Sequence, residues 1–156
     1  MEKEKTCKIV FSDIDGTLLT SDGQITEGTK EMILNLEKKG IPFILTSARS
    51  PEGVRVIKRM LGNHAPIIAF CGGLILDNDG HEIYSKMIPL KRALELKAML
   101  DKDFPAVACN TFGGEKWIVD DRDDWREQRE EKIVGFPAEI GSIKDTFETE
   151  GGIHKF

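Results

Sequence analysis

The chain has 156 residues, 40% hydrophobic and 31% charged, enough for one sizeable core or a core with a small appended unit. Its 27 acidic residues outnumber 22 basic ones for a formal charge of −5, and no dense basic block is available to neutralise a row of phosphates, which argues against nucleic acid as a partner. Cys7, Cys71 and Cys109 are an odd number at wide spacing, so they fit neither a disulfide framework nor paired zinc ligands and read as reduced thiols. Residues Met1 to Lys5 carry both charge signs and lead into only a short apolar run, unlike a signal peptide, and no stretch approaches membrane-spanning length. The expectation is a cytoplasmic protein without a membrane partner.

In chain order, Lys8 to Ser12 is a short run of β-formers ending in acids and a glycine, which predicts a buried strand with Asp13 at its carboxyl edge. From Thr26 to Lys39, Met32, Ile33 and Leu36 recur at helical spacing, with Thr26 as cap and Gly40 as stop. Ile41 to Thr46 reads as a second strand. Ser50-Pro51 opens a helix whose apolar face is Val54, Ile57, Met60 and Leu61, closed by Gly62. Pro66 to Phe70 is a third strand, and the βαβαβ order predicts an α/β fold with a doubly wound, Rossmann-like parallel sheet. Leu74 to Leu76 and Glu82 to Tyr84, joined by Asp77-Asn78-Asp79-Gly80, predict a hairpin. After Pro89 the pattern becomes helix (Leu90 to Lys102), strand (Ala106 to Thr111), Gly113-Gly114, strand (Lys116 to Val119) and a charged helix from about Asp123. The expected division is a core over residues 1–88 and a second, α+β unit over 89–156.

Asp13-Ile14-Asp15-Gly16-Thr17-Leu18 follows the first strand directly, where ligands of open α/β sheets bind. Alternation puts the carboxylates of Asp13 and Asp15 on one side of the chain, and Gly16 lets the backbone turn sharply. Such a pair can hold a metal and divide the work of nucleophile and proton carrier. Asp77-Asn78-Asp79-Gly80 is an internal control: between alternating strands, Asp-Gly is a turn signal.

With Phe11 and Ser12 in front, that segment resembles the first motif of the haloacid dehalogenase superfamily, Asp-x-Asp-Gly-Thr-Leu/Val. The resemblance implies a magnesium-dependent phosphatase in which Asp13 is the nucleophile and forms an aspartyl-phosphate, and Asp15 protonates the leaving oxygen and then activates water. Both would serve the magnesium ion, Asp15 through its carbonyl. Leu45-Thr46-Ser47-Ala48-Arg49 resembles the second motif. Ser47 is then the phosphate hydroxyl, with Gly16 and Thr17 in the same site, and Arg49 could contact phosphate or pair with an acid. Taken alone, Thr46 and Ser47 read equally well as helix caps. The layout further resembles the Cof-like sugar-phosphate phosphatases, with a cap inserted after the third strand and hairpin, which implies a small phosphorylated metabolite as substrate. Cys71 departs from that pattern by standing where those proteins carry Asn. It reads as a small buried hydrophobe.

That resemblance also implies a lysine and a Gly-Asp-x-x-x-Asp-like segment after the cap, and neither is found, so the expectation is the N-terminal portion of such an enzyme. Magnesium should then bind weakly, no second carboxylate cluster is expected, and the first strand should border an open sheet edge that favours a dimer or swapped assembly. The competing functions are a phosphomannomutase-like phosphotransferase and a non-catalytic module that binds a phosphosugar or protein. A two-component receiver would need an acid after the third strand, where Phe70-Cys71-Gly72 stands. His64, His81 and His154 read as surface or loop residues, Asp120 to Asp124 as the solvated start of a helix, and Trp117 and Trp125 as packing.

Overall fold

The computed structural model describes residues 7–156, and the charged segment from Met1 to Lys5 lies outside them. Strand β1 (Val10–Asp13) pairs in parallel with β2 (Phe43–Thr46), and β2 in parallel with β3 (Ile67–Ala69). Between them run α1 (Glu27–Lys38) and α2 (Pro51–Leu61). Beyond β3 the sheet continues through β4 (Leu74–Leu76), antiparallel to β3, to β5 (Glu82–Ser85), giving the order β1-β2-β3-β4-β5. This is a Rossmann-like α/β arrangement in which the sheet is mixed.

Local chemistry explains these elements. The Thr26 hydroxyl accepts from the Thr29 amide and caps α1. Val54, Ile57 and Leu61 of α2 are buried together with β2, whose Phe43, Ile44 and Leu45 form a continuous apolar run, as a parallel strand covered on both faces requires. Met32 and Met60, expected on the apolar helix faces, are instead exposed, because the buried stripe needs only the neighbouring positions Ile33 and Leu61. After β3 the chain makes a tight 3-10 turn over Phe70–Gly72, in which Phe70 and Cys71 take the left-handed region at φ 50° and 55°. Cys71 is exposed, so its reading as a buried hydrophobe is corrected.

The described residues form two compact units, one running to Arg49 and from Val54 to Tyr84, and another of Ser50–Gly53 with Ser85–Phe156. In the second unit β6 (Ile88–Pro89) pairs antiparallel with β10 (Gly152–Ile153). Helix α3 (Leu90–Asp103) is followed by β7 (Thr111–Gly113), β8 (Lys116–Val119), α4 (Trp125–Val134), β9 (Glu139–Ile140) and α5 (Ile143–Phe147). β7, β8 and β9 form a three-stranded sheet, with β9 parallel to β8. The strand expected over Ala106 to Thr111 lies later, because Val107 N–H bonds back to the Phe104 carbonyl in a turn and pairing starts only at Thr111. Ala93, Ile118, Ile143, Phe147 and Ile153 form this unit's core. Gly113 is required there, since a Cβ on it would stand 2.5 Å from the Phe147 ring.

Trp117 is core: it stacks on Phe112 at 5.3 Å, meets Phe136 edge-on, and donates its indole N–H to Asn110 Oδ1. Trp125, by contrast, is 67% exposed, so its reading as packing is corrected. Helix α4 itself carries a costly group: its Glu127 is buried and the Oε2 has no hydrogen-bond partner. Burial raises its pKa, opposed by a hydrogen bond from Asn110, with Asp124 adding to the rise. A carboxyl whose folded pKa lies above its unfolded value of about 4.3 costs stability as pH climbs through the interval between the two. Glu127→Gln should therefore raise the melting temperature at pH 8 by a few degrees, about 2–4 °C per kcal/mol, and by less at pH 5. An equal change at both pH values in thermal melts would show that Glu127 does not carry this titration.

Candidate functional site

The site begins with register. β1 and β2 pair so that Asp13 stands opposite Thr46, and both strands end there. Ile14, fully buried, anchors the turn that follows: its carbonyl accepts from the amides of Leu18 and Leu19. With Ile14 held inward, Asp13 and Asp15 both face outward and are exposed. Gly16 takes φ +74° with open space where a Cβ would be, so it is backbone strain rather than crowding that suits glycine to this position.

From the β2 side come Ser47 and Arg49. Ser47 is only 4% exposed; its amide donates to the Ile68 carbonyl, and its hydroxyl accepts from the Arg49 amide at 3.1 Å. That hydroxyl keeps a proton to donate. The helix cap is a different residue: Ser50 Oγ accepts from Gly53 N–H, which frees Ser47 from the capping role. The third strand closes the same edge, since the Phe70 amide bonds the Arg49 carbonyl and the Cys71 amide bonds the Ser47 carbonyl. The left-handed pair Phe70-Cys71 is thus what turns β3's end back onto the β2 loop.

Arg49 grips Asp15 with a two-point fork, Nε to Oδ2 at 3.0 Å and Nη2 to Oδ1 at 2.7 Å. The fork's hydrogen bonds, aided by the guanidinium charge and opposed by partial burial, hold the Asp15 carboxyl below the usual carboxylate range. Sequence reasoning left Arg49's partner open because 34 residues separate the two, and only the strand register brings them together.

Away from this edge, Asp77, Asp79 and His81 come within 4.8 Å of one another, a group of potential ligand atoms where no second carboxylate cluster was expected. Asp77 Oδ1 already accepts from the amides of Asp79 and His81, and its Oδ2 meets His81 Nδ1, so the group is organised as a turn. His154, at the bend after β10, is a loop residue that also braces its unit: it bonds Ser85 Oγ through Nε2 and accepts from Gly114 N–H at Nδ1.

Open α/β sheets bind ligands beyond the carboxyl ends of their parallel strands, and that is the edge where this chain gathers two carboxylates, a buried hydroxyl and an arginine. The chain belongs to the haloacid dehalogenase-like hydrolase family, whose model matches residues 10–155. A Haemophilus influenzae relative, named only provisionally as a phosphatase, is 36% identical over 124 residues, 74% of this chain and 47% of its own length. The solved haloacid dehalogenase-like hydrolase of Bacteroides thetaiotaomicron superposes with a TM-score of 0.77 at 20% identity, covering 88% of this chain and 52% of its own. A sugar phosphatase of subclass IIB in the same superfamily gives 0.70 at 19%, over 94% and 56%. The chain spans about half the length of the curated relatives it matches.

The fork between Arg49 and Asp15 has a measurable consequence. In metal-free buffer, carboxyl-carbon NMR of Arg49→Met should move the Asp15 titration midpoint up toward the ordinary value of about 3.9. No movement would mean that the ion pair is absent in solution.

Proposed function

We propose that this chain carries the nucleophile half of a magnesium-dependent phosphate monoester hydrolase that works through an aspartyl-phosphate on Asp13, with small sugar phosphates as substrates in the cytoplasm. The observation that carries the reading is the β1–β2 register, which brings Asp13 and Asp15 to the strand end from which Ser47 and Arg49 emerge. Support for the substrate class comes from the fold shared with a sugar phosphatase. Among the described residues no helix is long and apolar enough to cross a membrane.

In this reading an oxygen of Asp13 attacks phosphorus, the bond from phosphorus to the substrate's ester oxygen breaks, and Asp15 gives that oxygen a proton. Water then attacks phosphorus, Asp15 takes its proton, and inorganic phosphate leaves with Asp13 restored. Ser47 donates its hydroxyl proton to a phosphoryl oxygen as charge redistributes there. Asp15 starts as a carboxylate held in the Arg49 fork, so before it can give a proton it must leave the fork and take one up from solvent. Release from the guanidinium raises its proton affinity, and a phosphate that draws Arg49 toward itself would provide that release.

The donor chemistry suits magnesium, a hard cation that takes oxygen ligands. Because Arg49 occupies both carboxylate oxygens of Asp15, the ion would be held by the Asp13 carboxylate and the Asp15 main-chain carbonyl. When bound it would neutralise phosphoryl charge.

With the lysine and the Gly-Asp-x-x-x-Asp-like segment not found in these residues, hydrolysis of phosphate monoesters by the purified chain should be slow, and its residual rate tests the assignment. Asp13→Asn should fall to background, and Asp15→Asn should lose about 10²- to 10⁴-fold. Full activity in Asp13→Asn would exclude it as nucleophile.

The partner proposal rests on the sheet's end. β1 is terminal in the order of the described strands, with Phe11 57% and Ile9 45% exposed beside its unpaired backbone groups. Light scattering should therefore find a dimer. A monodisperse monomer would show that the edge stays unpaired.

A further inference from the structure

Among the described residues, Phe70 and Cys71 alone combine a side chain with a left-handed backbone, at φ 50° and 55°, and the proposed reaction uses neither. In an extended strand consecutive amides point to opposite edges, so two in a row reach one neighbour only where the backbone curls. That happens just past the last β2–β3 pair, Thr46 with Ile68. The Phe70 amide donates to the Arg49 carbonyl at 3.0 Å and the Cys71 amide to the Ser47 carbonyl at 2.9 Å. With the Ser47 amide on the Ile68 carbonyl, three main-chain bonds hold residues 47–49 against the end of β3.

The two residues keep this conformation for different reasons. Phe70 is buried, so packing fixes its backbone from within. Cys71 is exposed and its thiol makes none of these bonds, so its side chain does not account for φ 55°, ψ 31°. Left-handed backbone in a residue with a Cβ persists only where the surroundings over-determine it. At Cys71 those surroundings are its bond to Ser47 and the turn that Gly73 N–H closes on the Phe70 carbonyl.

From this turn a line of contacts runs to the acids. The Arg49 amide donates to Ser47 Oγ, which ties the hydroxyl to the Arg49 main chain, and the Arg49 side chain engages Asp15 at two points. A two-point fork has a fixed geometry, so a displaced loop would open it.

We propose that Cys71 is a positioning residue whose left-handed backbone, rather than its thiol, sets Ser47 and Arg49 in place against Asp15. The inference deepens the reading of this edge proposed above and rests on it for what the edge does to a phosphate.

Substitutions at this one exposed position separate backbone from thiol. Cys71→Ala removes the thiol and keeps the conformational demand, Cys71→Asn favours the left-handed region, and β-branched Cys71→Val resists it. In metal-free buffer without substrate, carboxyl-carbon NMR should find the Asp15 titration midpoint raised in Cys71→Val, toward that of Arg49→Met, and unmoved in Cys71→Ala. Hydrogen-exchange protection of the Phe70 and residue-71 amides should fall about tenfold or more in Cys71→Val and rise about twofold or more in Cys71→Asn. The Cys71→Asn result carries the test if Cys71→Val folds poorly. The proposal is overturned by an unchanged Asp15 midpoint in folded Cys71→Val, by a shift as large in Cys71→Ala, or by weaker protection in Cys71→Asn. None of these readouts involves turnover, so they stand apart from the fate of Asp13 as nucleophile.

Discussion

The parallel pairing of β1 with β2 is the constraint on which the site depends. Neither strand has chemistry alone: Val10–Asp13 contributes carboxylates at its end, and Phe43–Thr46 leads into a hydroxyl and a guanidinium. Their register, Asp13 opposite Thr46, makes one site of two segments more than thirty residues apart. A slip by one residue would turn Ile14 outward and the carboxylates inward, exposing a fully buried side chain and burying charge. The hydrophobic pattern that stabilises the sheet therefore also aims the acids.

Charge balance at this edge follows from the same pairing. Two carboxylates on adjacent outward positions repel each other, and Arg49 offsets one of them by engaging Asp15 at two points. Asp15 is more than half exposed at its side chain, so this pair contributes little to stability and is better understood as an orienting contact. It leaves Asp13 as the carboxylate outside the fork. The turn at Phe70 and Cys71 completes the arrangement by bonding the backbone of Ser47 and Arg49, at the cost of two left-handed non-glycine residues.

Much of this was legible beforehand, for identifiable reasons. Strong local signals mark the strand ends: acids and glycine after a β-forming run, threonine before a helix, glycine after one. Hairpin chemistry at Asp77 to Gly80 was readable because the turn satisfies its own amides. What escaped is non-local. The partner of Arg49, the exposure of Trp125 and Cys71, and the late start of β7 each depend on contacts that composition and spacing do not encode. Short elements such as α5 escaped for a different reason: five residues carry too little periodicity, and Phe147 is buried because tertiary packing puts it against Gly113.

The proposed reaction requires an oxygen of Asp13 to form a bond to phosphorus. Chemical trapping tests that most directly: the chain is mixed with acetyl phosphate and magnesium, quenched in acid, and reduced with borohydride, which converts an aspartyl-phosphate to homoserine. Peptide mass spectrometry should find the conversion at Asp13 and not at Asp15, Asp77 or Asp79. Homoserine at another aspartate, or none at any position while phosphate is released, would contradict the assignment.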